Sequence, residues 1–347
     1  MSRIYLDWNA TTPLRPEARV AMLAAMDVVG NPSSVHAEGR AAKAVVERAR
    51  AQVAQAFGAD GADIVFTSGA TEGAALATAG RDLACAEVEH EAVLACCEPL
   101  LPVDSQGIVA VRAPAETALQ LANSETGVMQ DIPQGLALCD ATQGFGKVPV
   151  AFNWLGCDMA LLSAHKLGGP KGVGALVIRR GLDVVPQLRG GGQEMGRRAG
   201  TENIICIAGF GAAAEAAARE LTDGVWDRVA ELRNILDHAL SAHGFETISV
   251  GNAVARLPNT LCIIAPGWKG ETQVMAMDLA GFAISAGSAC SSGKVRESRV
   301  LRAMGYDAAL AGQAVRISLG PDVTEDNVLR FADAWGKAFA RIKGRAA

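Results

Sequence analysis

The 347-residue sequence has no apolar segment long enough to cross a lipid bilayer. Its longest run of apolar and glycine residues extends from Ile204 to Ala214 and stops at Glu215, whereas a membrane-spanning helix needs about 20 apolar residues. The first seven residues lack the apolar core of a cleavable signal peptide. We therefore expect a cytoplasmic protein without membrane association.

The sequence also lacks cysteine and histidine residues at the spacing of a metal site. None of the eight cysteines forms a C-x-x-C pair or has a histidine at zinc-ligand spacing, so we predict free thiols and no metal site. Most cysteines lie among apolar residues and are expected in the core. Cys290 differs, because residues 285–293 around it are all small. This segment is either a flexible linker that happens to carry a thiol or a loop that moves a reactive sulfur.

The sequence carries no excess of positive charge. Its 32 lysine and arginine residues stand against 37 aspartate and glutamate residues, which gives a formal net charge of −5. This balance argues against broad affinity for nucleic acid. Half of the residues are hydrophobic and a fifth are charged, as in ordinary globular proteins, and the length favours two domains.

Alanine-rich helical patterns alternate with short apolar runs bounded by Gly, Ser or Asp. Strands are predicted at 63–67, 136–139, 159–163 and 173–178. Helices are predicted at 16–26, 39–57 and 207–221. This alternation predicts an α/β fold in which a mostly parallel sheet lies between helices.

A long helical pattern at 220–243 separates this part from strand-like runs at 260–265 and 282–285 and a closing helix at 325–343. We therefore predict a large domain at 15–230 and a smaller C-terminal α+β domain at 231–347. The segment 1–14 is expected to pack on the smaller domain, which also carries the 285–293 loop.

Two strand candidates are followed directly by residues suited to a cofactor. Lys166 comes just after the run that ends at Ser163, and ligands of open parallel sheets bind beyond the carboxyl ends of strands. A confined lysine can form a Schiff base, although a surface lysine in a turn fits the pattern equally well. Asp140 follows the 136–139 run in the same way and could pair with a pyridinium nitrogen or cap a helix.

The segment Thr67-Ser-Gly-Ala-Thr-Glu72 lies between a predicted strand and a predicted helix. Small residues at a helix N-terminus favour anion binding. The segment lacks the ending of a nucleotide P-loop and the spacing of a dinucleotide fingerprint. It therefore suits a single phosphate group, although a Ser/Thr cap with a nearby Glu is frequent in α/β proteins.

Eight short motifs carry a family resemblance that extends over nearly the whole chain. In order they are Asn-Pro-Ser-Ser (31–34), Gly-Ala-Thr-Glu (69–72), Asn-Ser-Glu-Thr-Gly (123–127), Asp-Ala-Thr-Gln (140–143), Ser-Ala-His-Lys (163–166), Arg-Ala-Gly-Thr (198–201), Ser-Ala-Gly-Ser-Ala-Cys (285–290) and Arg-Ile-Ser-Leu-Gly (316–320). The series resembles the cysteine desulfurases of the class V aminotransferase group. Cys290 precedes Arg316 by 26 positions, which resembles their long-loop, housekeeping branch.

The resemblance implies pyridoxal 5'-phosphate as cofactor in a fold type I homodimer. Lys166 would bond the cofactor covalently, Asp140 would pair with its pyridinium nitrogen, and Gln143 would contact its phenolic oxygen. The phosphate would be held by Ala70, Thr71, Ser163 and His165, with Thr201 reaching it from the second subunit.

The resemblance also implies the reaction. His90 would stack on the pyridine ring and transfer protons, while Asn123 and Arg316 would hold the carboxylate of L-cysteine. Cys290 would take the sulfur as a persulfide and alanine would leave, so that an acceptor or iron–sulfur scaffold protein could receive the sulfur.

Two alternatives stay open. One is a selenocysteine lyase or another class V lyase or aminotransferase, which would not need the thiol of Cys290. The other is a shortened, inactive paralogue that serves as a binding subunit. It is motivated by departures from the family pattern: no Asn after Glu72, Ser124 in place of a second Asn, a short 71–123 stretch and a short C-terminus.

Overall fold

The computed structural model of the chain describes residues 3–287 and 297–346. In these residues the strands are β1 (Ile4–Tyr5), β2 (Asp63–Thr67), β3 (Ala84–Ala86), β4 (Glu98–Leu101), β5 (Ala118–Gln120), β6 (Leu138–Asp140), β7 (Met159–Ser163), β8 (Gly174–Ile178), β9 (Ile248–Ser249), β10 (Thr260–Ile264), β11 (Phe282–Ala283), β12 (Ser285–Ala286) and β13 (Ala314–Ser318). The α-helices are α1 (Pro16–Met26), α2 (Ala37–Ala56), α3 (Ala70–Thr78), α4 (Glu91–Leu94), α5 (Phe152–Leu155), α6 (Ile204–Thr222), α7 (Val225–Ser241), α8 (Gly270–Leu279), α9 (Arg299–Ala303), α10 (Ala308–Ala311) and α11 (Glu325–Ala346).

The central sheet has the strand order β2-β8-β7-β6-β5. β5, β6 and β7 pair in parallel, whereas β8 is antiparallel to both β7 and β2. Four of the five strands therefore run in the same direction, and the predicted α/β fold with a mostly parallel sheet is confirmed. Because β2 is antiparallel to β8, it runs in the same direction as β5, β6 and β7.

Successive residues of the central strands face opposite sides of the sheet and enter two different cores. In β7, Ala160 and Leu162 pack with α2 and α6, while Met159 and Leu161 pack with α3. The sheet is thus covered on both faces, which explains why its strands are continuous apolar runs rather than alternating ones.

Helix α6 begins at a side-chain cap and packs closely on α2. The Asn203 side chain accepts a hydrogen bond from the amide of Cys206, which satisfies one of the free donors at a helix start. Gly211 lies so close to α2 that a Cβ there would be 2.7 Å from Cα of Ala49. The alanine and glycine content of α6 therefore serves this close approach.

The second sheet, in the order β12-β13-β10-β9, is antiparallel. It packs with α7, α8 and α11 in a core that contains the stacked pair Trp268 and Phe339. Ile4 and Leu6 belong to this core, but Ile264 belongs to the core of the central sheet. The division of the chain at 230 and 231 stays a prediction.

The segment that follows β1 crosses between the two sheets. The amide of Trp8 donates to the Ser318 carbonyl of β13, and the amide of Thr12 donates to the His165 carbonyl just after β7. A Cβ at Gly320 would overlap the Trp8 ring, so glycine is required for this crossing. Residues 7–12 consequently lie where the carboxyl ends of the central strands meet the second sheet.

Candidate active site

A cavity of about 1240 Å³ opens at the carboxyl ends of β2, β6 and β7. Its walls also include β13 and the crossing segment 7–12. Most of the predicted site residues line it: Ala70, Thr71, His90, Asp140, Gln143, Ser163, His165, Lys166 and Arg316. The structure therefore brings together side chains that are up to 246 positions apart in the chain, from Ala70 to Arg316.

Two of the predicted residues that the structure describes, Asn123 and Thr201, do not line this cavity. Asn123 is buried behind it: its Nδ2 donates to the Val88 carbonyl, and its Oδ1 accepts from the amide of Thr126 at 2.8 Å. Thr201 lines a smaller neighbouring cavity of about 270 Å³. Cys290 lies outside the described residues, but Gly287 and Glu297 on either side of its segment both line the main cavity.

The loop before α3 is built to accept an anion. The Glu72 carboxylate accepts from the Ser68 amide at 2.7 Å and pairs with Arg198 at 2.8 Å. Burial alone would raise the pKa of Glu72, but the hydrogen bonds from Arg198 and Ser68 together lower it by more, so the pKa lies below its ordinary value. With the loop fixed from behind, the first amides of α3 face the cavity at the positive end of the helix dipole.

This loop also packs directly on β8. A Cβ at Gly174 would lie 2.5 Å from the Leu162 carbonyl oxygen and 2.8 Å from Cα of Gly69. Glycine at position 174 therefore allows the anion-binding loop to lie flat on the sheet.

His165 and Lys171 both line the cavity, and the charge of Lys171 acts on His165. Burial and the nearby charges of Lys166 and Lys171 lower the pKa of His165 to about 4. Its Nδ1 lies 3.1 Å from Oγ1 of Thr11. A neutral imidazole and an ammonium group thus face the position that a phosphate would take.

The low pKa of His165 makes the stability of the cofactor-free protein depend on pH. The ordinary histidine pKa is 6.5, so between pH 6.5 and 4 the unfolded chain binds a proton that the folded chain does not. The contribution of His165 to the free energy of unfolding is fully present above pH 6.5 and is lost as the pH falls towards 4. We expect the melting temperature to fall less between pH 7.5 and 5 in His165→Asn than in the parent, measured by calorimetry; equal falls would contradict this assignment.

Lys166 occupies a short turn after β7. Its Nζ donates to the carbonyl oxygens of Asn9 at 2.6 Å and Ala10 at 2.9 Å. Gly168, with a φ of +91°, has the Arg15 side chain so close that a Cβ would lie 2.3 Å from its Cγ. Arg15 in turn pairs with Glu220, so the turn that presents Lys166 is held from outside.

Asp140 ends β6 and faces the cavity. Its Oδ1 accepts from the amide of Thr142 at 2.9 Å, and residues 142–147 form turns. This is the bond that an N-cap side chain makes, although here it precedes turns; the pairing of Asp140 with a pyridinium nitrogen stays a prediction. One further residue, Gln143, donates from Nε2 to the Asn9 carbonyl at 3.0 Å and accepts at Oε1 from Lys147 at 2.7 Å.

His90 caps the short helix α4. Its Nδ1 accepts a hydrogen bond from the amide of Ala92 at 3.1 Å. The proton of the neutral ring is therefore on Nε2, which makes His90 a hydrogen-bond donor through that atom.

The neighbouring Glu89 is buried, and burial raises the pKa of its carboxyl group well above the ordinary value. Among the described residues its Oε2 has no hydrogen-bond partner.

Arg316 lies in the middle of β13, where an unpaired charge would be costly. It pairs with Asp7 at 2.7 Å and donates to the Ser124 carbonyl at 3.0 Å. Its Nε is buried and has no partner among the described residues. Asp7 and the Ser124 carbonyl thus hold the guanidinium group in place, and it still has an N–H group that donates to neither of them.

Sequence reasoning missed Asp7, Lys147, Glu89 and Lys171 as parts of this site. Asp7 ends a short apolar run in the same way as Asp140 does, and that signal could have identified it. Lys147 follows Gln143 by four positions, which indicates proximity only if the local backbone coils. Nothing in the sequence predicts that Glu89 is buried.

The donor set fits pyridoxal phosphate. An anion-binding loop with His165 and Lys171 suits the phosphate, and the carboxylate of Asp140 suits a protonated pyridine nitrogen. Lys166 suits the aldehyde and the amide of Gln143 suits the phenolic oxygen. Residues 3–287 and 297–346 contain no group of three or more side chains placed to hold a metal ion. None of the helices in these residues is long and apolar enough to span a membrane.

Comparisons with known proteins agree with this chemistry. Residues 4–331 match the family model for class V aminotransferases. A cysteine desulfurase of Cereibacter sphaeroides is 40% identical over 371 residues, with 96% of this chain and 95% of that protein covered. The cysteine desulfurase IscS of Dictyoglomus turgidum is 37% identical over 376 residues, with 98% and 95% covered. Both alignments are longer than the 347-residue chain, so these relatives carry residues that this chain lacks.

A solved structure shows the same fold. The NifS-like protein of Rickettsia africae ESF-5 superposes with a TM-score of 0.87 at 32% identity, and the match covers 99% of each chain. The two-sheet arrangement described above is therefore shared with a NifS-like protein over essentially its whole length.

Proposed function

Because the chain belongs to the class V aminotransferase family and, within it, to the cysteine desulfurases, we infer that it removes the sulfur of L-cysteine with the help of pyridoxal phosphate and releases alanine. One observation carries this conclusion: Lys166, Asp140 and the anion-binding loop meet in one cavity at the carboxyl ends of β7, β6 and β2, three strands of the central sheet that run in the same direction. The spacing of the phosphate, ring nitrogen and aldehyde of the cofactor requires such a meeting.

We propose that the cofactor is held by residues of this chain in a fixed orientation. The first amides of α3, at Ala70 and Thr71, together with Ser163 and His165, would bind its phosphate. Asp140 would keep the ring nitrogen protonated. Bound in this way, the cofactor supplies an electron-withdrawing ring that makes the Cα proton of the amino acid acidic.

The remaining steps are carried out by side chains. Arg316 would bind the carboxylate of cysteine, because a guanidinium group binds carboxylates in two-point geometry and is already desolvated beside Asp7. Lys166, which ends its short turn in the cavity, would take the proton from Cα and return it. His90 would donate through Nε2 to a polar atom of the bound substrate.

Sulfur transfer is assigned to Cys290. Its thiolate would attack the substrate sulfur, so that a sulfur–sulfur bond forms on Cys290 and the carbon–sulfur bond breaks. The electron pair of the broken bond would stay with the carbon skeleton, which takes up a proton at Cβ and becomes alanine. A thiol has a pKa of about 8.5 in water, and the charges of Arg316 and Arg299 at the cavity wall would favour its ionised form.

The direct test is product analysis of the purified protein loaded with pyridoxal phosphate. L-cysteine should yield alanine and, with a reductant present, sulfide in equal amounts. Alanine without sulfide, or neither product, would contradict a desulfurase.

Removal of the Arg316 side chain should impair substrate use without loss of cofactor. We expect Arg316→Ala to lower kcat/KM for L-cysteine by a free energy of about 2–5 kcal/mol, as is usual when one partner of a desolvated charge pair is removed. The visible absorption band should persist, because Arg316 is assigned to substrate alone.

A matched double variant separates two causes of this loss. Arg316→Ala leaves the Asp7 carboxylate uncompensated, and that charge would repel the substrate. The double variant with Asp7→Asn should recover part of kcat/KM but stay well below the parent. Full recovery would show that Arg316 serves only to neutralise Asp7.

We also propose that the protein is a homodimer and that its sulfur goes to iron–sulfur cluster assembly. The exposed stripe Val20, Leu23 and Met26 on α1 supports a contact surface, and similarity to the relative named IscS supports the destination. Light scattering should give twice the 35.9 kDa chain mass. Transfer of labelled sulfur from loaded enzyme to a scaffold protein tests the destination.

A further inference from the structure

Lys147 is buried to 1% exposure, which is an unusual position for a lysine. Its Nζ donates to Oε1 of Gln143 at 2.7 Å and to Oδ1 of Asn9 at 3.2 Å. Burial, followed by repulsion from Lys166 and Arg316, lowers the pKa of Lys147 well below its ordinary value. Both of its hydrogen-bond partners within residues 3–287 and 297–346 are neutral amides, so no ion pair in this part of the chain explains its burial.

The contact with Lys147 determines which way the Gln143 amide points. The lysine nitrogen donates to Oε1 of Gln143, so Oε1 faces Lys147 and Nε2 faces away from it. Nε2 gives one hydrogen to the Asn9 carbonyl at 3.0 Å, and Gln143 lines the cavity. The second hydrogen of Nε2 is the one that can serve a ligand there.

Asn9 fixes the other side of this arrangement and has every polar atom engaged. Its carbonyl oxygen accepts from both Gln143 and Lys166. Its Oδ1 accepts from Lys147 and from Asn259, and its Nδ2 donates to the Ser124 carbonyl and to Oγ1 of Thr260. A rotated Gln143 amide would place Oε1 against the Asn9 carbonyl, which has no hydrogen to donate, and Nε2 against the donor Lys147, so it would lose both of its bonds.

We propose that Lys147 is a positioning residue: it holds Gln143 so that its N–H, rather than its carbonyl oxygen, faces the phenolic oxygen of pyridoxal phosphate beside Lys166. The inference rests on the proposed function. A donor at that oxygen stabilises its ionised form, so the arrangement adjusts the pH at which the bound chromophore loses its proton.

The test is the pH midpoint of the visible absorption change of loaded protein. In Lys147→Met the amide of Gln143 is no longer held, and the midpoint should rise by about 0.5–1 pH unit, which corresponds to the net free energy of one hydrogen bond. Gln143→Ala should raise it by a similar amount. Lys147→Met added to Gln143→Ala should then cause no further rise.

The double variant distinguishes positioning from a direct electrostatic effect. A rise that persists when Lys147→Met is added to Gln143→Ala would show that the Lys147 charge acts on the chromophore by itself, and would overturn the proposal. An unchanged midpoint in Lys147→Met would also overturn it. If no variant, nor the parent, develops a visible band, the proposed function fails instead.

Gln143→Glu keeps the proposal testable if Lys147→Met does not fold. A carboxylate at this position would pair with Lys147 and lacks the N–H group. The carboxylate also loses the bond to the Asn9 carbonyl, as alanine does, so Gln143→Ala is the matched reference. Cofactor-free Gln143→Glu should melt above Gln143→Ala because only the carboxylate keeps a contact with Lys147, and the pH midpoint of the loaded protein should rise at least as far as in Gln143→Ala. A melting temperature no higher than that of Gln143→Ala would contradict the contact between Lys147 and Oε1.

Discussion

The Cys290→Ser protein is expected to bind pyridoxal phosphate and show the same visible band as the parent, yet to release neither sulfide nor alanine from L-cysteine. Apart from Thr201, the residues assigned to the cofactor line the described wall of the cavity, so the band should not depend on Cys290. A serine hydroxyl cannot accept a sulfur atom. The loss of turnover should therefore be complete within the detection limit of an alanine assay.

The other cysteines provide the controls. Burial raises the pKa of the Cys262 thiol, and the Cys157 contact together with burial raises that of Cys139, so both are poor nucleophiles. Cys97 is partly exposed and its pKa is lowered by a hydrogen bond from Cys85, which makes Cys97→Ser the matched control. It should keep parent activity.

Mass spectrometry adds a positive result. Parent protein treated with L-cysteine in the absence of reductant should gain one sulfur atom on the peptide that contains Cys290. A selenocysteine lyase would instead remain active on selenocysteine after Cys290→Ser, and an inactive paralogue would form no alanine before or after the change. Parent-rate desulfuration by Cys290→Ser would refute the assignment.

The Lys166→Ala protein is expected to lose the covalent bond to the cofactor. Borohydride should no longer fix pyridoxal phosphate to the chain, and the band of the free aldehyde should replace that of the lysine adduct. Loss of the residue that moves the Cα proton should also lower kcat by about 10²–10⁴-fold, the usual contribution of a general base.

Lys171 is the matched control for this variant because it lines the same cavity. Lys171→Ala should bind the phosphate more weakly but keep the reducible adduct. A reducible adduct in Lys166→Ala would show, after peptide mapping, that Lys171 or Lys147 is the bonding lysine.

The site residues that end strands could be predicted from the sequence. Lys166 and Asp140 each follow an apolar run directly, and the carboxyl ends of parallel strands meet at one edge. The reversal of β8 could not be predicted, because a strand buried on both faces has the same apolar pattern in either direction. Likewise, β6 begins at Leu138 rather than 136, since Leu136 and Ala137 are buried without joining the ladder.

Residues whose function depends on distant partners were harder to predict. The partner of Arg316 is Asp7, 309 positions away, and no local pattern links the two. Asn123 is polar in a recognisable motif, yet its side chain is used to close the turn that presents the Ser124 carbonyl. The sequence shows that an amide is present there, but its hydrogen bonds depend on the finished fold.

The crossing segment has a consequence for the order of assembly. Asn9 carries the carbonyl that anchors Lys166 and Gln143, yet it is itself held by Ser318 and Asn259 from the far end of the chain. Such contacts between distant positions form late in folding, because closing a long loop costs entropy before it is repaid. A nascent chain in which residue 318 is still within the ribosome could already have the central sheet and Lys166, but it would lack the anchor. Capture of the cofactor is therefore expected to follow completion of the chain, and its arrival would report that both ends are in place.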